Sequence, residues 1–175
     1  MFGVNVMQLL WKKLAKEKTV RLKETLDVSG LLKGRTDVKG FGELEADLQA
    51  ELTSGVAEVT GQLTLDVQMV CARCLGPVHE RLAVPFREVF TEREDLLPEK
   101  EREDAHIVTE DAVDLKPFVE EAVWLALPNI PLCKEDCKGL CPVCGTNRNE
   151  TDCACKQERI DPRLAGLADF FKDSD

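Results

Sequence analysis

Between residues 44 and 90 the chain alternates apolar and polar side chains with little interruption. Leu44, Ala46, Leu48, Ala50 and Leu52 stand between Glu45, Asp47, Gln49 and Glu51. Ala57, Val59, Leu63, Leu65, Val67 and Met69 follow, and then Val78, Leu82, Val84, Phe86 and Phe90. A period of two sustained this long predicts antiparallel strands with one buried and one wet face. Pro85 lacks an amide donor, which places the last of these strands at an edge or a bulge. Upstream, Val20, Leu22, Leu26 and Val28 alternate with Arg21, Lys23, Thr25 and Asp27, and predict another strand. Before it, Met7, Leu10, Trp11 and Leu14 fall at helical spacing over residues 5–14, with Asn5 and Gln8 as a capping pair. The apolar start of that stretch also suits a strand. Gly30, Gly34, Gly40 and Gly42 punctuate what reads as a loop.

Downstream, residues 91–104 are highly charged with little to bury, and predict a solvated loop. His106-Ile-Val-Thr adds a short strand. Asp114 then caps a helix whose Leu115, Phe118, Val119, Ala122, Val123 and Ala126 form one apolar stripe, ended by Pro128. Asp161-Pro162 opens a final short helix with Leu164, Leu167, Ala168 and Phe171 on one side. Packing the longer helix on the sheet gives an α+β fold: an antiparallel β-sheet with one packed helix. Three segments follow from this reading. They are a basic N-terminal arm and first strand (1–39), a sheet-plus-helix core (40–130), and a cysteine-rich segment with a C-terminal helix (131–175).

Charge divides the chain in the same way. Residues 1–39 carry nine Lys/Arg against four Asp/Glu, and the remainder carries fourteen against twenty-nine. An acidic body suits a basic protein partner better than a nucleic-acid backbone. Only the N-terminal arm has the sign for direct RNA contact, and Trp11, Lys12, Lys13, Lys16, Lys18, Arg21 and Lys23 are its candidate residues. A solvated amphipathic helix and strand, with Trp11 in the core, accounts for the same residues.

The eight cysteines carry the most specific chemistry. Cys71-x-x-Cys74 falls between two strands, at a hairpin tip, while Cys133, Cys137, Cys141, Cys144, Cys153 and Cys155 crowd into 23 residues. The first 30 residues lack the order of a secretory signal and no apolar run approaches a membrane span, so a reducing, cytoplasmic setting is expected, with no membrane. There these spacings favour metal over disulfides. Cys141-Pro-Val-Cys144-Gly145 has the form of a zinc knuckle, and Cys153-Ala-Cys155 is local enough to close its site. Cys133 and Cys137 are left to join Cys71 and Cys74, clamping the hairpin tip to the chain after the helix. Two closed tetrahedral zinc sites result, structural because neither keeps an open position. Three alternatives stand beside this reading: disulfides, which would need an oxidising setting, a four-cysteine iron–sulfur cluster, which has the same ligands, and a redox C-x-x-C.

Cys71-Ala-Arg-Cys74-Leu75, the stretch from Pro131 to Cys155, and Asp161-Pro162-Arg163-Leu164-Ala165-Gly166-Leu167 resemble the YceD family. These are bacterial and plastid proteins named for accumulation of large-subunit ribosomal RNA. Some members keep the C-x-R-C with a Cys/His pair where Cys133 and Cys137 stand and lack the second half of the cluster, a pattern in line with the two-site grouping. The resemblance implies a cytoplasmic factor of ribosome biogenesis and carries no catalytic residues. The favoured expectation is a non-enzymatic interaction module for a ribosomal or RNA-processing protein, with ribosomal RNA touched by the basic arm and no small-molecule substrate. The rival is a metal-dependent RNA-processing hydrolase. For it the sequence offers only His79 and His106 as imidazoles, and carboxylate runs at Glu92/Glu94/Asp95 and Glu99/Glu101/Glu103/Asp104 that read as hydrated. Metal storage is a third reading, disfavoured because closed sites release metal poorly.

Overall fold

The computed structural model describes residues 7–155. A fifteen-residue strand, β5 in chain order (Val56–Val70), is the spine of the molecule. Strand β6 (Pro77–Thr91) returns along its whole length, in register from Val56 opposite Thr91 to Val70 opposite Pro77. On the other side of β5, strand β4 (Leu44–Thr53) covers the first half and β3 (Val38–Phe41) the second. Strand β2 (Thr19–Leu26) extends the sheet beyond β4, and β7 (Ala105–Ile107) joins the end of β6 in parallel. Among the described residues this makes a six-stranded sheet, antiparallel except at β7.

The period of two sets which side chains are buried. Leu44, Ala46, Leu48, Ala50, Ala57, Val59, Leu63, Leu65, Val67, Met69, Leu82, Val84 and Phe86 all lie in the core. Glu45, Asp47, Glu51, Thr60 and Gln62 face water. Helix α3 (Lys116–Ala126) lies against β6, with the Phe118 ring edge-on to Phe90 at 5.2 Å between centroids. Asp114 Oδ1 accepts the Lys116 amide at 3.0 Å just ahead of the helix, but the N-cap position falls to Leu115 and not to Asp114 as expected. Leu115, Val119 and Val123 are buried, but Ala126 is exposed and Leu127 takes the last core position. Pro85 faces Gln62 on the part of β6 that β7 does not reach, so its missing donor falls on an open edge.

Three further expectations need correction. Residues 8–10 do not begin a helix: β1 (Gln8–Leu10) pairs antiparallel with β8 (Ala112–Asp114), and helix α1 (Trp11–Glu17) starts afterwards. Met7 and Leu9 are buried while Leu10 is exposed, a period of two that a distant strand imposes; Gln8 therefore caps nothing. The glycine-punctuated stretch is not a plain loop. It holds helix α2 (Ser29–Leu32) and β3, because β4 is too short to cover all of β5. The charged stretch at 91–104 is ordered by 3₁₀ turns at Glu94–Leu96 and Glu99–Glu101, with Leu97 buried between them. The helix expected after Asp161 lies outside the described residues.

Gly61 sits on β5 directly against the β4 backbone at Asp47 and Leu48. A Cβ there would lie 2.1 Å from the Asp47 carbonyl oxygen and 2.8 Å from Leu48 Cα, both backbone atoms that cannot swing aside. Gly61→Ala is expected to destabilise the fold by about 1–3 kcal/mol. Thermal unfolding should then show a midpoint lowered by roughly 3–10 °C. Gly30→Ala, with nothing within 4 Å, is the control expected to leave it in place.

Candidate metal centres

The hairpin between β5 and β6 ends in a knuckle. The Cys71 amide donates to the Gly76 carbonyl at 2.8 Å, and the Leu75 amide donates back to the Cys71 carbonyl at 2.9 Å. The same pair of bonds recurs seventy residues on: Cys141 amide to Thr146 carbonyl at 2.8 Å, Gly145 amide to Cys141 carbonyl at 2.8 Å. Both turns need a left-handed residue just after the second cysteine. Gly145 adopts φ 76° there without steric cost, whereas Leu75 adopts φ 59° with its side chain in solvent.

Each knuckle meets a second pair of cysteines. Ala72 donates to the Pro131 carbonyl at 2.8 Å and Leu140 donates to the Arg73 carbonyl at 3.0 Å, so the chain after α3 is stitched to the hairpin tip on both sides of Cys133 and Cys137. Arg73 reinforces this, its Nη1 donating to the Cys137 carbonyl at 3.0 Å. The sulfurs of Cys71, Cys74, Cys133 and Cys137 then lie within 4.8 Å of one another, and so do those of Cys141, Cys144, Cys153 and Cys155. Among the described residues, these two are the groups of Cys, His, Asp or Glu that close around a space fit for an ion.

The spacing suits coordination. Cys71 and Cys137 sulfurs are 3.8 Å apart, and those of Cys74 and Cys133 are 3.6 Å apart. Four sulfurs at the zinc–sulfur distance in a tetrahedron stand about 3.8 Å from each other. A disulfide needs about 2.05 Å, and all eight cysteines are free. In the inner group Cys71, Cys74 and Cys137 are buried and Cys133 is exposed; in the outer group only Cys141 is buried.

Electrostatics within each group is uneven. Burial pushes the Cys71 thiol up, but hydrogen bonds from the backbone of Cys74, Cys133 and Arg73 bring it down to about 6. Cys144 is drawn down to about 6 chiefly by Thr146, whose hydroxyl lies 3.2 Å from its sulfur. Their neighbours go the other way: Cys133 is pushed up to about 12 beside Cys74, and Cys155 up to about 12 beside Cys144. Negative charge accumulates on some sulfurs and denies ionisation to the rest. A cation at the centre removes that conflict, because all four ligands must be thiolates to bind it.

The candidate RNA contacts are not gathered into one patch. Trp11 is buried, 8% exposed, and serves the core. Lys12 pairs with Asp111 at 2.7 Å, and Lys23 with Asp47 at 3.7 Å. Arg21 Nε donates to Gln49 Oε1 at 3.2 Å. Arg21 and Lys23 lie on the wet face of the sheet, whereas Lys12, Lys13 and Lys16 ride on α1, whose Trp11 and Leu14 enter the core beneath the opposite face. Lys18 closes α1 with φ 64°. Neither histidine joins a cysteine group. His79 is exposed on β6, and His106 contacts Glu88 Oε2 at 2.9 Å and lies tilted against the Phe118 ring. Asn149 was not signalled by the sequence at all: it sits in the polar gap between Cys144 and Cys153 and donates to Cys137 Sγ at 3.3 Å.

The family model of the large ribosomal RNA subunit accumulation protein YceD matches residues 59–171, a span that holds all eight cysteines. The chain belongs to the YceD family. The uncharacterized protein Rv2926c of Mycobacterium tuberculosis (strain ATCC 25618 / H37Rv) is 37% identical over 129 residues, 73% of this chain and 62% of that protein. ML1660 of Mycobacterium leprae (strain TN), also uncharacterized, is 34% identical over 130 residues, 73% of this chain and 59% of that protein. The uncharacterized protein YlbN of Bacillus subtilis (strain 168) is 26% identical over 155 residues, 87% of this chain and 88% of that protein. The chain thus spans less than two thirds of the length of the mycobacterial relatives it matches. No solved structure matches. Among the described residues no helix is long and apolar enough to cross a membrane.

Each cysteine group is expected to hold an ion of its own. Cys71→Ser is expected to leave one metal ion per chain by native mass spectrometry and to raise amide exchange at the hairpin tip and residues 131–140. Cys144→Ser should also leave one ion, with the largest rise in exchange at 141–155. Two ions retained by either variant would refute the grouping.

Proposed function

We propose that the protein is a non-catalytic zinc-binding factor of ribosome biogenesis in the cytoplasm, supporting accumulation of large-subunit ribosomal RNA by binding a basic ribosomal or RNA-processing protein. The observation that carries this reading is a pair of closed four-sulfur groups in a chain whose family is named for large-subunit ribosomal RNA accumulation. Four thiolates leave a tetrahedral ion no position for water or substrate, so the metal's work is structural. Zinc is favoured by sulfur spacing that suits one ion. In a cluster of two or four irons the cysteines are divided among separate irons, which spreads the four sulfurs farther. Free thiols in both groups accord with a reducing compartment.

The segments then divide the work. Zinc in residues 131–155 secures the tip of the sheet in 40–130, and the acidic body meets the partner. A groove between β6, β7 and α3 supports the choice of a basic partner. Its Glu88, Glu103, Asp104 and Glu121 outnumber Arg87, which is itself paired with Glu58 at 2.5 Å. Direct RNA contact by the arm falls to Lys13, Lys16 and Lys18, because Lys12 and Lys23 are matched by carboxylates, Arg21 is bonded to Gln49 and Trp11 is in the core.

Elemental analysis of the purified protein should return two zinc ions per chain in a colourless solution; a brown solution containing iron would overturn the zinc assignment. Affinity purification with and without ribonuclease should recover ribosomal or RNA-processing proteins in both arms. Complete loss of those proteins after ribonuclease would overturn the protein-mediated reading. Reversing the charge of Lys13, Lys16 and Lys18 together should reduce the slope of log affinity for ribosomal RNA against log salt by about 2. An unchanged slope would remove the arm from RNA contact.

A further inference from the structure

Asn149 connects the two cysteine groups, and every polar atom of its side chain is committed. Its Oδ1 accepts the Lys138 amide at 2.9 Å. Since that amide can only donate, the orientation of the carboxamide is settled and Nδ2 must face the other way. Nδ2 carries two hydrogens. One goes to Asn147 Oδ1 at 2.9 Å and the other to Cys137 Sγ at 3.3 Å. Asn147 is held in turn: its Nδ2 donates to Glu150 Oε1 at 2.7 Å, and its Oδ1 also accepts the Asn149 amide at 3.1 Å.

The placement of Asn147 derives from the outer knuckle. Leu140 and Asn147 form a bridge across it, directly flanking the Cys141–Thr146 bond that shapes the turn. Arg148 donates to the Gly139 carbonyl at 2.9 Å, which ties the same strip back to the chain leaving Cys137. The backbone leaving the outer knuckle at Thr146 thus carries Asn147, and hydrogen bonds lead from Asn147 through Asn149 to a sulfur of the inner four.

We propose that Asn149 is a positioning residue through which occupation of the outer cysteine group strengthens metal retention by the inner one. This rests on the reading of both groups as metal sites. An N–H donor spreads the charge of a ligating thiolate and restricts its motion. Losing such a partner typically weakens metal binding by about 10–100-fold. Without metal in the outer group, four crowded thiols must hold the knuckle by themselves, and Asn149 loses the frame that aims it. By thermodynamic linkage the dependence is mutual, so the inner ion strengthens the outer by the same factor.

The test is a chelator challenge on the full-length zinc-loaded protein, followed by cysteine alkylation read peptide by peptide. The chelator concentration that half-exposes Cys71, Cys74, Cys133 and Cys137 reports the inner group, independently of any cellular activity. Asn149→Ala and the outer-group variant Cys153→Ser/Cys155→Ser are each expected to lower that concentration about 10–100-fold. Combining them should add little to the larger of the two losses. Asn149→Asp keeps the acceptor for Lys138 but removes the donor, and should be as weak as Asn149→Ala; wild-type retention in Asn149→Asp would assign the side chain a merely structural role. Equal inner-group protection in wild type and the outer-group variant would overturn the coupling, and fully additive losses would overturn Asn149 as its carrier. Cysteines unprotected in wild-type protein before any chelator is added would instead refute the metal reading underneath, and the coupling with it.

Discussion

Four sulfurs brought within 4.8 Å of one another cannot all carry charge unless a cation sits among them. The fold brings about this congestion twice, and the rest of the C-terminal architecture depends on its relief. Residues 131–155 have no helix and no strand longer than an isolated bridge among the described residues, so sulfur, a few backbone bonds, Arg73 and the side chains of Leu132 and Leu140 fasten them to the sheet. Structural zinc in finger peptides binds with about 10–16 kcal/mol, which rivals the whole stability of an ordinary domain. Metal of that strength can take the place of a hydrophobic core in this part of the chain.

The two groups are not equivalent. The inner one straddles 66 residues, from Cys71 to Cys137, and its ligands are mostly buried against the end of the sheet. The outer one closes within a single stretch and stands more open to solvent. An inner group joins elements that are distant in sequence, so it governs tertiary structure; an outer group governs one loop. The Asn149 bond gives the peripheral loop a hold on the central joint. Long strands add a mechanical consequence, for β5 and β6 carry the inner knuckle well beyond the reach of β4.

Much of this could be read from the chain. Alternation from Leu44 to Phe90 marked the central strands and their buried face, because a half-buried sheet imposes its period directly on the residues that form it. Cysteine spacing marked the groups, because a knuckle is a local turn whose ligands must lie two residues apart. Where reading failed, the deciding contact was distant. Met7, Leu10, Trp11 and Leu14 satisfy a helical period, yet β8, more than a hundred residues away, draws Gln8–Leu10 into a strand. The stretch around Gly40 has weak intrinsic preference and becomes β3 only because β5 offers an unpaired edge there.

What the amino-acid order determined alone was therefore whatever is encoded within a few residues: sheet periodicity, the stripe of α3, two knuckles and an acidic body with a basic arm. Tertiary structure decided the 3.6–3.8 Å separation of sulfurs that the spacing had already grouped, the bond by which Arg73 reaches the Cys137 carbonyl, and that Asn149 reaches Cys137 Sγ. It also separated Trp11 from the lysines beside it, sending the ring to the core and the charges to solvent or to Asp111. The physical reason is one of range. Backbone periodicity and turn geometry act over a handful of bonds, whereas a hydrogen bond or a shared cation joins whichever groups the folded chain happens to bring together.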